Sequence, residues 1–278
     1  MTILLADSGA TKTEWVYIEE GKPIYFRKPG LHPAYLPETM NIDRYVPQSR
    51  RLHPDRIFFY GAGCYPGEGR DRITALLQEA YEGADVVVTD DLTGAGRAAF
   101  GTGTGVICAL GTGSIAGHVS HGKITRRSAA LGFVMGDEGG AADLGKQILI
   151  RYFRGQFEKD TQQRVREYLK GAAYGDMMHR VYSSDTPARE LGSIAGLVLN
   201  SDLNEELKTL VRERFDAFID RQLRSIDPDP SLPVCFTGEV ARCHQELLMQ
   251  CASEAGFTDI RILESTIKAL AAQVMEKS

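Results

Sequence analysis

The sequence lacks the features of a membrane or secreted protein. No run of about 18 apolar residues occurs, so we expect no membrane-spanning helix. The first ten residues contain neither a basic stretch nor a small-residue cleavage site, so we expect no signal peptide. Only five cysteines are present, an odd number, and no C-x-x-C pair occurs. We therefore predict a cytoplasmic protein whose thiols are reduced.

A strong charge of one sign is also missing. Lys and Arg number 32, Asp and Glu number 37, and the net charge is -5. This mild acidity argues against a nucleic-acid partner and leaves small anionic ligands open. With 278 residues, of which 43% are hydrophobic, the chain is long enough for one large domain or two lobes.

Two common nucleotide-binding signatures are absent as well. No glycine directly precedes Lys12-Thr13, so the phosphate-binding pattern G-x-x-x-x-G-K-[ST] does not occur there. The stretch 111-GTGSIAG-117 has one residue too many for G-x-G-x-x-G, and it leads into a predicted strand instead of a helix. These absences argue against a P-loop fold and against a Rossmann fold.

What is present is a strand–turn–strand–turn–strand pattern that occurs once in each half. Its predicted strands cover 1–6, 15–18 and 23–26, and then 105–110, 115–119 and a third from 124. Other strands are predicted at 56–60, 84–89, 234–236 and 260–263, and helices at 70–82, 92–100, 242–255 and 264–276 and through most of 141–225. The mixture predicts an α/β fold with a weak internal duplication.

Three turns carry residues suited to a nucleotide. The stretches 7-DSGATKT-13 and 110-LGTGS-114 are hairpin turns rich in glycine, hydroxyl groups and backbone N–H donors. Glycine lets a backbone approach a phosphate closely, and the donors complete the binding surface. The stretch 237-TGEVA-241 is a glycine turn between a predicted strand and a helix. The alternative for the first turn is a solvated hairpin, and the alternative for the third is a plain helix entrance.

Two adjacent acids, Asp90 and Asp91, follow the predicted buried strand 84–89. A carboxylate at the end of such a strand can be directed into a cleft. Acids are also favoured at the first positions of a helix, so one of the two is expected to be a cap.

This ordered set of turns and acids resembles the sugar kinase/Hsp70/actin superfamily. Within it, 88-VTDDLTGAGRA-98, 110-LGTGS-114 and 135-MGDEGG-140 resemble the N-acetylglucosamine kinase group, which shares a family with the activator ATPases of 2-hydroxyacyl-CoA dehydratases. The resemblance covers nearly the whole chain. It implies two ribonuclease-H-like lobes of the actin/hexokinase type with a cleft between them. Lobe one would be residues 1–92, with the terminal helix 264–278 packing back onto it, and lobe two residues 93–263.

The resemblance also implies roles for individual residues. Asp7 would hold Mg²⁺ through water, and Asp91 would be the catalytic base, because D-x-x-G from Asp91 to Gly94 matches the kinase pattern. ATP would be bound by Gly9, Thr11, Lys12, Thr13, Gly111, Thr112, Gly113 and Gly238. The sugar would be contacted by His32, Asp91, Ser114, Gly132 and Asp137.

The implied activity is transfer of a phosphoryl group from ATP to the 6-hydroxyl of an N-acetylated or amino hexose, with N-acetylglucosamine as the first candidate and a homodimer as the assembly. The chain departs from the group at His32, where the kinases usually carry asparagine, and at Ala130-Leu131-Gly132, where they often carry G-W-G. Two alternatives stay open. One is an activator ATPase with an iron–sulfur cluster shared across a dimer, and the other is an ATP-binding regulatory protein without catalysis.

Overall fold

The computed structural model describes residues 1–9, 12–36, 40–48, 51–200 and 202–276. The chain divides into two compact units. The first contains Met1–Thr104, Val119–Ile124 and Ser265–Ser278, and the second contains Gly105–His118 and Thr125–Glu264. Within the described ranges, no helix combines the length and apolarity that crossing a membrane requires.

The residues that the structure describes contain ten strands, which form two sheets of five strands each. In chain order they are β1 (Ile3–Ser8), β2 (Lys12–Glu19), β3 (Lys22–Pro29), β4 (Arg56–Gly61), β5 (Asp85–Asp90), β6 (Thr104–Leu110), β7 (Ser114–Ser120), β8 (Lys123–Arg127), β9 (Val234–Thr237) and β10 (Ile260–Leu263).

The helices, in chain order, are α1 (Glu68–Ala80), α2 (Asp91–Phe100), α3 (Gly132–Met135), α4 (Ala141–Phe153), α5 (Lys159–Tyr168), α6 (Tyr174–Tyr182), α7 (Pro187–Ile194), α8 (Gly196–Leu199), α9 (Glu205–Phe218), α10 (Glu239–Cys243), α11 (Gln245–Glu254) and α12 (Thr266–Met275). Short 3₁₀ turns cover Pro33–Tyr35, Ile42–Arg44 and Arg224–Ile226, and a π-helical turn covers Ile219–Leu223.

The sheet of the first unit has the strand order β3-β2-β1-β4-β5. Strands β1, β2 and β3 form an antiparallel meander, whereas β4 and β5 run parallel to β1. The central strand β1 is almost entirely buried, as its apolar sequence ILLA predicts for a strand covered on both faces. The edge strand β3 is largely exposed and carries lysine and proline, which discourage pairing with another sheet edge.

The sheet of the second unit has the order β8-β7-β6-β9-β10, with β9 parallel to both β6 and β10. This order repeats that of the first sheet, position by position. The duplicated meander predicted from the sequence is therefore confirmed. The core of this unit packs the sheet against α4, α9 and α11, with Phe215, Phe218 and Phe236 among its fully buried side chains.

The structure differs from the sequence-based elements in three places. The first turn is shorter than 7–13, because β1 continues to Ser8 and β2 already begins at Lys12. The helix predicted over 242–255 is interrupted at His244, whose φ of -121° and ψ of 34° are not helical. The first unit continues beyond the predicted boundary at residue 92 and includes all of α2, which packs against β4, β5 and α12.

Candidate active site

The first glycine turn joins β1 to β2 and is closed by a hydrogen bond from the Gly9 N–H to the Lys12 carbonyl oxygen, at 2.9 Å. Ser8 and Thr13 face each other across the hairpin with their hydroxyl oxygens 2.7 Å apart. The Thr13 hydroxyl donates to the Pro29 carbonyl and accepts from the Leu31 N–H, and its side chain is fully buried. The hydrogen bonds of the buried Thr13 therefore stabilise the turn, whereas Gly9 is partly exposed and Lys12 is exposed.

Thr11, the fourth residue predicted for this turn, lies outside the described residues.

An acidic cluster lies beside the first turn. Asp7 and Glu14 are directly opposite each other on β1 and β2, and the Lys12 Nζ lies 3.1 Å from the Glu14 Oε1. Burial raises the pKa of Asp7 to about 7, with repulsion from Asp91 and Glu14 adding to it and Lys12 and the Thr266 hydroxyl opposing it. A carboxylate held against other carboxylates favours a cation, and oxygen donors of this kind suit Mg²⁺.

No group of three or more His, Cys, Asp or Glu side chains poised for a metal occurs in the described part of the chain. A Mg²⁺ ion held by Asp7 would therefore take its other ligands mainly from water and phosphate oxygens, which is usual for Mg²⁺ beside nucleotides. The residues present fit that mode, because they supply one partly buried carboxylate and a negative surrounding.

The two adjacent acids at the start of α2 have different roles in the structure. Asp90 is the N-cap of α2, and its two carboxylate oxygens accept hydrogen bonds from the Thr93 N–H at 3.1 Å and the Thr93 hydroxyl at 2.8 Å. Its side chain is buried. Asp91 is the first helical residue, is partly exposed, and accepts the Leu92 N–H through Oδ1 at 3.0 Å. Of the two, Asp91 is the acid whose charge raises the pKa of Asp7.

Two glycines in α2 leave room for side chains of neighbouring strands. A Cβ at Gly94 would lie 2.6 Å from the Tyr60 side chain, and a Cβ at Gly96 would lie 2.8 Å from the Val119 side chain. A larger residue at either position would push the helix away, and Asp91 with it.

His32 follows the backbone that Ser8 and Thr13 hold in place. Its Nδ1 accepts the Ala34 N–H at 3.2 Å, its ring lies 4.8 Å from that of Tyr35, and burial lowers its pKa. The neutral ring therefore carries its proton on Nε2, which makes that atom a donor. Gly63 gives the ring room, because a Cβ there would lie 2.7 Å from Nε2.

The second glycine turn, Gly111–Gly113, joins β6 to β7 and is anchored to α4. The Ala141 and Ala142 N–H groups donate to the carbonyl oxygens of Gly111 and Thr112 at 2.8 and 2.9 Å. The Gly111 N–H is used within the turn. The N–H groups of Thr112 and Gly113 have no acceptor among the residues that the structure describes, so they remain available to an anion such as a phosphate.

Asp137 lies directly against this turn. Its Oδ1 accepts the Ser114 N–H at 3.2 Å, and a Cβ on Gly113 would lie 2.8 Å from its Oδ2. Burial raises its pKa, although the bond from Ser114 opposes the shift. Its φ is +58°, in the left-handed region that few residues other than glycine adopt. A strained backbone that directs a carboxylate at a glycine turn is typical of a functional position.

Gly238 packs on the same turn from another side. Its φ is +105°, and a Cβ there would lie 2.2 Å from the Leu110 carbonyl oxygen and 3.0 Å from the Gly111 nitrogen. A cavity of about 630 Å³ lies beside the helix that follows, and Arg242, Cys243 and His244 contribute to its lining.

The remaining predicted sugar residue, Gly132, has a φ of +70° and starts α3, which ends just before Asp137.

We expect Gly238→Ala to destabilise the second unit and to disturb the turn 111–113. The left-handed backbone alone would cost on the order of 1–3 kcal/mol, and the clash with the Leu110 carbonyl adds to that. Gly155→Ala is the matched control, because its φ is also positive (+62°) but nothing lies within 4 Å of the added Cβ. Urea denaturation of both variants measures the difference, and equal losses would show that the close approach to Leu110 is unimportant.

Two residues of the first unit's site were not found from the sequence. Glu14 could have been found from strand alternation, which places it on the same face as Lys12 and, through the hairpin register, opposite Asp7. Thr266 reaches Asp7 from the start of α12, far along the chain, and no local sequence signal indicates this contact.

No protein-family model and no curated protein sequence matches the chain. Solved structures do match over its full length. A candidate N-acetylglucosamine kinase from Porphyromonas gingivalis is 27% identical, with a TM-score of 0.89 and 99% of each chain covered. A second candidate N-acetylglucosamine kinase, from Chromobacterium violaceum, is 17% identical, with a TM-score of 0.72, 99% of this chain and 98% of the other.

A ROK family glucokinase from Streptomyces griseus, solved with glucose and AMPPNP, is 15% identical, with a TM-score of 0.56 and 100% of each chain covered. The chain is thus similar to sugar kinases, and it has their two-lobed, actin-like α/β fold. The fold class and the resemblance predicted from the sequence are confirmed.

Proposed function

We propose that the chain is an ATP-dependent sugar kinase that phosphorylates the 6-hydroxyl of an N-acetylated or amino hexose, with N-acetylglucosamine as the first candidate. The observation that carries the proposal is that Asp90 and Asp91 have different structural roles. Asp90 is used by Thr93 as a helix cap, whereas Asp91 lies close enough to Asp7 to raise its pKa. A proton acceptor next to an acid suited to Mg²⁺ is what phosphoryl transfer to an alcohol requires.

Asp91 is the proposed base, and it would accept the proton of the sugar hydroxyl as the oxygen attacks the γ-phosphorus. Such a base contributes about 10²- to 10⁴-fold to the rate. In the proposal, Asp7 holds the Mg²⁺ site and Lys12 adds positive charge near the phosphates. When bound, Mg²⁺ would neutralise the charge that builds up on the transferred phosphoryl group.

The second glycine turn would bind phosphate oxygens through the N–H groups of Thr112 and Gly113. Asp137, held by Ser114 against Gly113, would accept hydrogen bonds from sugar hydroxyls. The Nε2 proton of His32 is available as a further donor to the sugar. The cavity of about 630 Å³ beside α10 has a volume suited to a ligand of the size of adenosine. In the proposal, the turn at Gly238 leads into α10, and the adenosine of ATP binds in this cavity.

The cysteines do not favour an iron–sulfur activator. Cys64, Cys108, Cys235 and Cys251 are buried, and Cys243 is the exposed one. A cluster shared between two chains would need cysteines at the surface of each. The third possibility is an ATP-binding protein without catalysis. It would bind ATP as a kinase does, so only an assay of sugar phosphorylation distinguishes the two.

We expect Mg-ATP to raise the melting temperature of the protein. A ligand that binds only the folded state stabilises it by RT ln(1 + [L]/Kd), which is about 2.7 kcal/mol at a hundredfold excess over Kd. A thermal-shift titration with ATP, in magnesium and in EDTA, measures this effect. No shift at millimolar Mg-ATP would contradict nucleotide binding, and with it every function considered above.

We expect kcat/KM to be higher for N-acetylglucosamine or glucosamine than for glucose. A site that forms hydrogen bonds to a 2-substituent rejects analogues without it, because its own polar groups are then left unpaired. A coupled ADP-release assay over a panel of hexoses tests both the reaction and the preference. Equal values for glucose and N-acetylglucosamine would contradict the preference and leave the kinase reaction standing.

A further inference from the structure

A buried amide, Gln222, joins the second glycine turn to the acidic segment 137–138. Its Nε2 donates to the Ser114 hydroxyl at 2.8 Å and to the Glu138 Oε2 at 3.0 Å, and its Oε1 accepts the Ser128 hydroxyl at 3.3 Å. The residue is 5% exposed. One side chain therefore connects the start of β7, the segment after β8 and the acidic segment.

The other members of this network hold the two proposed ligand-binding segments together. The Ser114 hydroxyl donates to the Glu138 carbonyl oxygen at 2.7 Å, while the Ser114 N–H donates to the Asp137 carboxylate. The Ser128 hydroxyl accepts the Ala116 N–H at 3.0 Å. If Gln222 lost its hydrogen bonds, Ser114 would lose one of the partners that fix its hydroxyl, and Glu138 would lose a donor.

The ionised state of Glu138 depends in part on the amide of Gln222. Burial raises its pKa, but hydrogen bonds from its own N–H, from Gln222 and from Arg221 outweigh burial and hold the pKa below its usual value. The Arg221 Nη1 lies 3.3 Å from the Glu138 Oε1, so the two carboxylate oxygens are held by neighbouring residues of one helical turn. A buried, ionised carboxylate without these donors would be costly, which makes an amide at position 222 a specific requirement.

The turn that carries Gln222 is unusual. It is the π-helical segment Ile219–Leu223 at the end of α9. Such single turns are rare and are frequently found at functional sites. Neither the sequence motifs nor the proposed ligand contacts account for this segment or for its buried glutamine.

We propose that Gln222 is a positioning residue of the reaction, which holds the turn 111–114 and the strained Asp137 in register so that phosphate and sugar ligands are fixed relative to each other. This inference rests on the proposed kinase function for its kinetic consequence. Its structural part, the ordering of two segments by one amide, is independent of that function.

Three variants of the full-length protein test the proposal. Gln222→Met keeps the size of the side chain and removes its hydrogen bonds. Gln222→Glu places a second carboxylate where the amide nitrogen was, 3.0 Å from the Glu138 Oε2. Thr161→Val is the control, because Thr161 is also buried and accepts a hydrogen bond, from the Asn204 Nδ2 at 2.7 Å, but belongs to the contact between α5 and the start of α9.

Hydrogen exchange measured by mass spectrometry is the first arm. We expect Gln222→Met to increase exchange in both 111–114 and 136–139, and Thr161→Val to leave both segments unchanged. Exchange that stays at the wild-type level in either segment would overturn the proposal. If the wild-type protein phosphorylates no sugar in the panel, the proposed function fails, and this arm still decides whether Gln222 orders the two segments.

Kinetics as a function of pH are the second arm. Misplacing reacting groups by about 1 Å costs roughly 100-fold, so we expect kcat/KM of Gln222→Met to fall by about that factor at every pH. Two carboxylates in contact share a proton, so Gln222→Glu should regain activity relative to wild type as the pH falls from about 8 to 5.5. Losses no larger than those of Thr161→Val, or a Gln222→Glu profile parallel to that of Gln222→Met, would contradict the positioning role.

Discussion

Asp91→Asn is expected to abolish sugar phosphorylation and to leave Mg-ATP binding nearly unchanged. The replacement keeps the shape of the side chain, and Asn Oδ1 can still accept the Leu92 N–H that Asp91 accepts at 3.0 Å. It removes the proton acceptor that the sugar hydroxyl needs. The loss in kcat is expected to be about 10²-fold or more. Steady-state kinetics with the preferred sugar and calorimetry with ATP measure the two effects separately.

Asp90→Asn is the matched control, since it makes the same chemical change one residue earlier. Asparagine caps helices about as well as aspartate, so the Thr93 N–H keeps its acceptor. The Thr93 hydroxyl, which donates to the other oxygen of Asp90, can turn to accept from the new amide group, so stability should change little. Its kcat should therefore stay within a few fold of wild type. If Asp90→Asn were the inactive variant and Asp91→Asn the active one, the base would be the capping residue. If both kept wild-type rates, the base would lie elsewhere, and Asp137 would be the next acid to replace.

The sequence-based prediction is most accurate where the signal is local. A glycine turn between two short strands can be recognised from adjacent residues, and so can an acid at a strand-to-helix junction. The structure accordingly has turns at Gly111–Gly113 and Gly238 and a helix that starts at Asp91. Even the competition between Asp90 and Asp91 for the cap was foreseeable, because helix starts favour acids in general.

Partners distant in the sequence could not be predicted in the same way. Thr266 meets Asp7 because α12 packs on β1 and β2. Gln222 meets Ser114 because the end of α9 packs on the second sheet, where the rings of Phe218 and Phe236 lie 6.5 Å apart. Such pairs depend on how elements pack in three dimensions. Local pattern also gave the wrong extent for the first turn, because the pairing of Ser8 with Thr13 extends the strand ladder into a stretch whose composition is typical of a loop.

Thr13 illustrates this limit. Thr13 was predicted to bind phosphate because hydroxyl groups are common in phosphate turns. In the structure its hydroxyl is committed to Pro29 and Leu31, which fixes the backbone that leads into His32. A hydroxyl in a glycine-rich turn can therefore serve a ligand or the turn itself, and the sequence alone does not distinguish the two.

Asp7→Asn is expected to change how stability depends on pH. The pKa of Asp7 is about 7 in the folded chain and about 3.9 in an unfolded one. Between these values the folded chain keeps a proton that the unfolded chain has lost, so the free energy of unfolding falls as the pH rises. The fall is about 1.4 kcal/mol per pH unit, or roughly 4 kcal/mol over the whole window. It is complete above about pH 7.

Asparagine does not titrate, so Asp7→Asn should be more stable than wild type at pH 8 and nearly equal to it at pH 4. Glu14→Gln removes one source of repulsion, so it should lower the pKa of Asp7 and weaken the fall without abolishing it. Urea denaturation of the three proteins at about pH 4, 6 and 8 measures these differences. Identical pH dependence in wild type and Asp7→Asn would contradict the raised pKa.

Magnesium provides the second half of the test. A cation at Asp7 favours the ionised carboxylate, so millimolar Mg²⁺ should restore stability to the wild-type protein at pH 8, where the carboxylate is charged and repelled by its neighbours. At pH 4, where Asp7 is protonated, the same Mg²⁺ should have little effect, because metal binding must displace the proton. Asp7→Asn should not respond at either pH. Equal stabilisation of both proteins by Mg²⁺ would place the cation elsewhere, and the acidic cluster beside the first turn would then need another explanation.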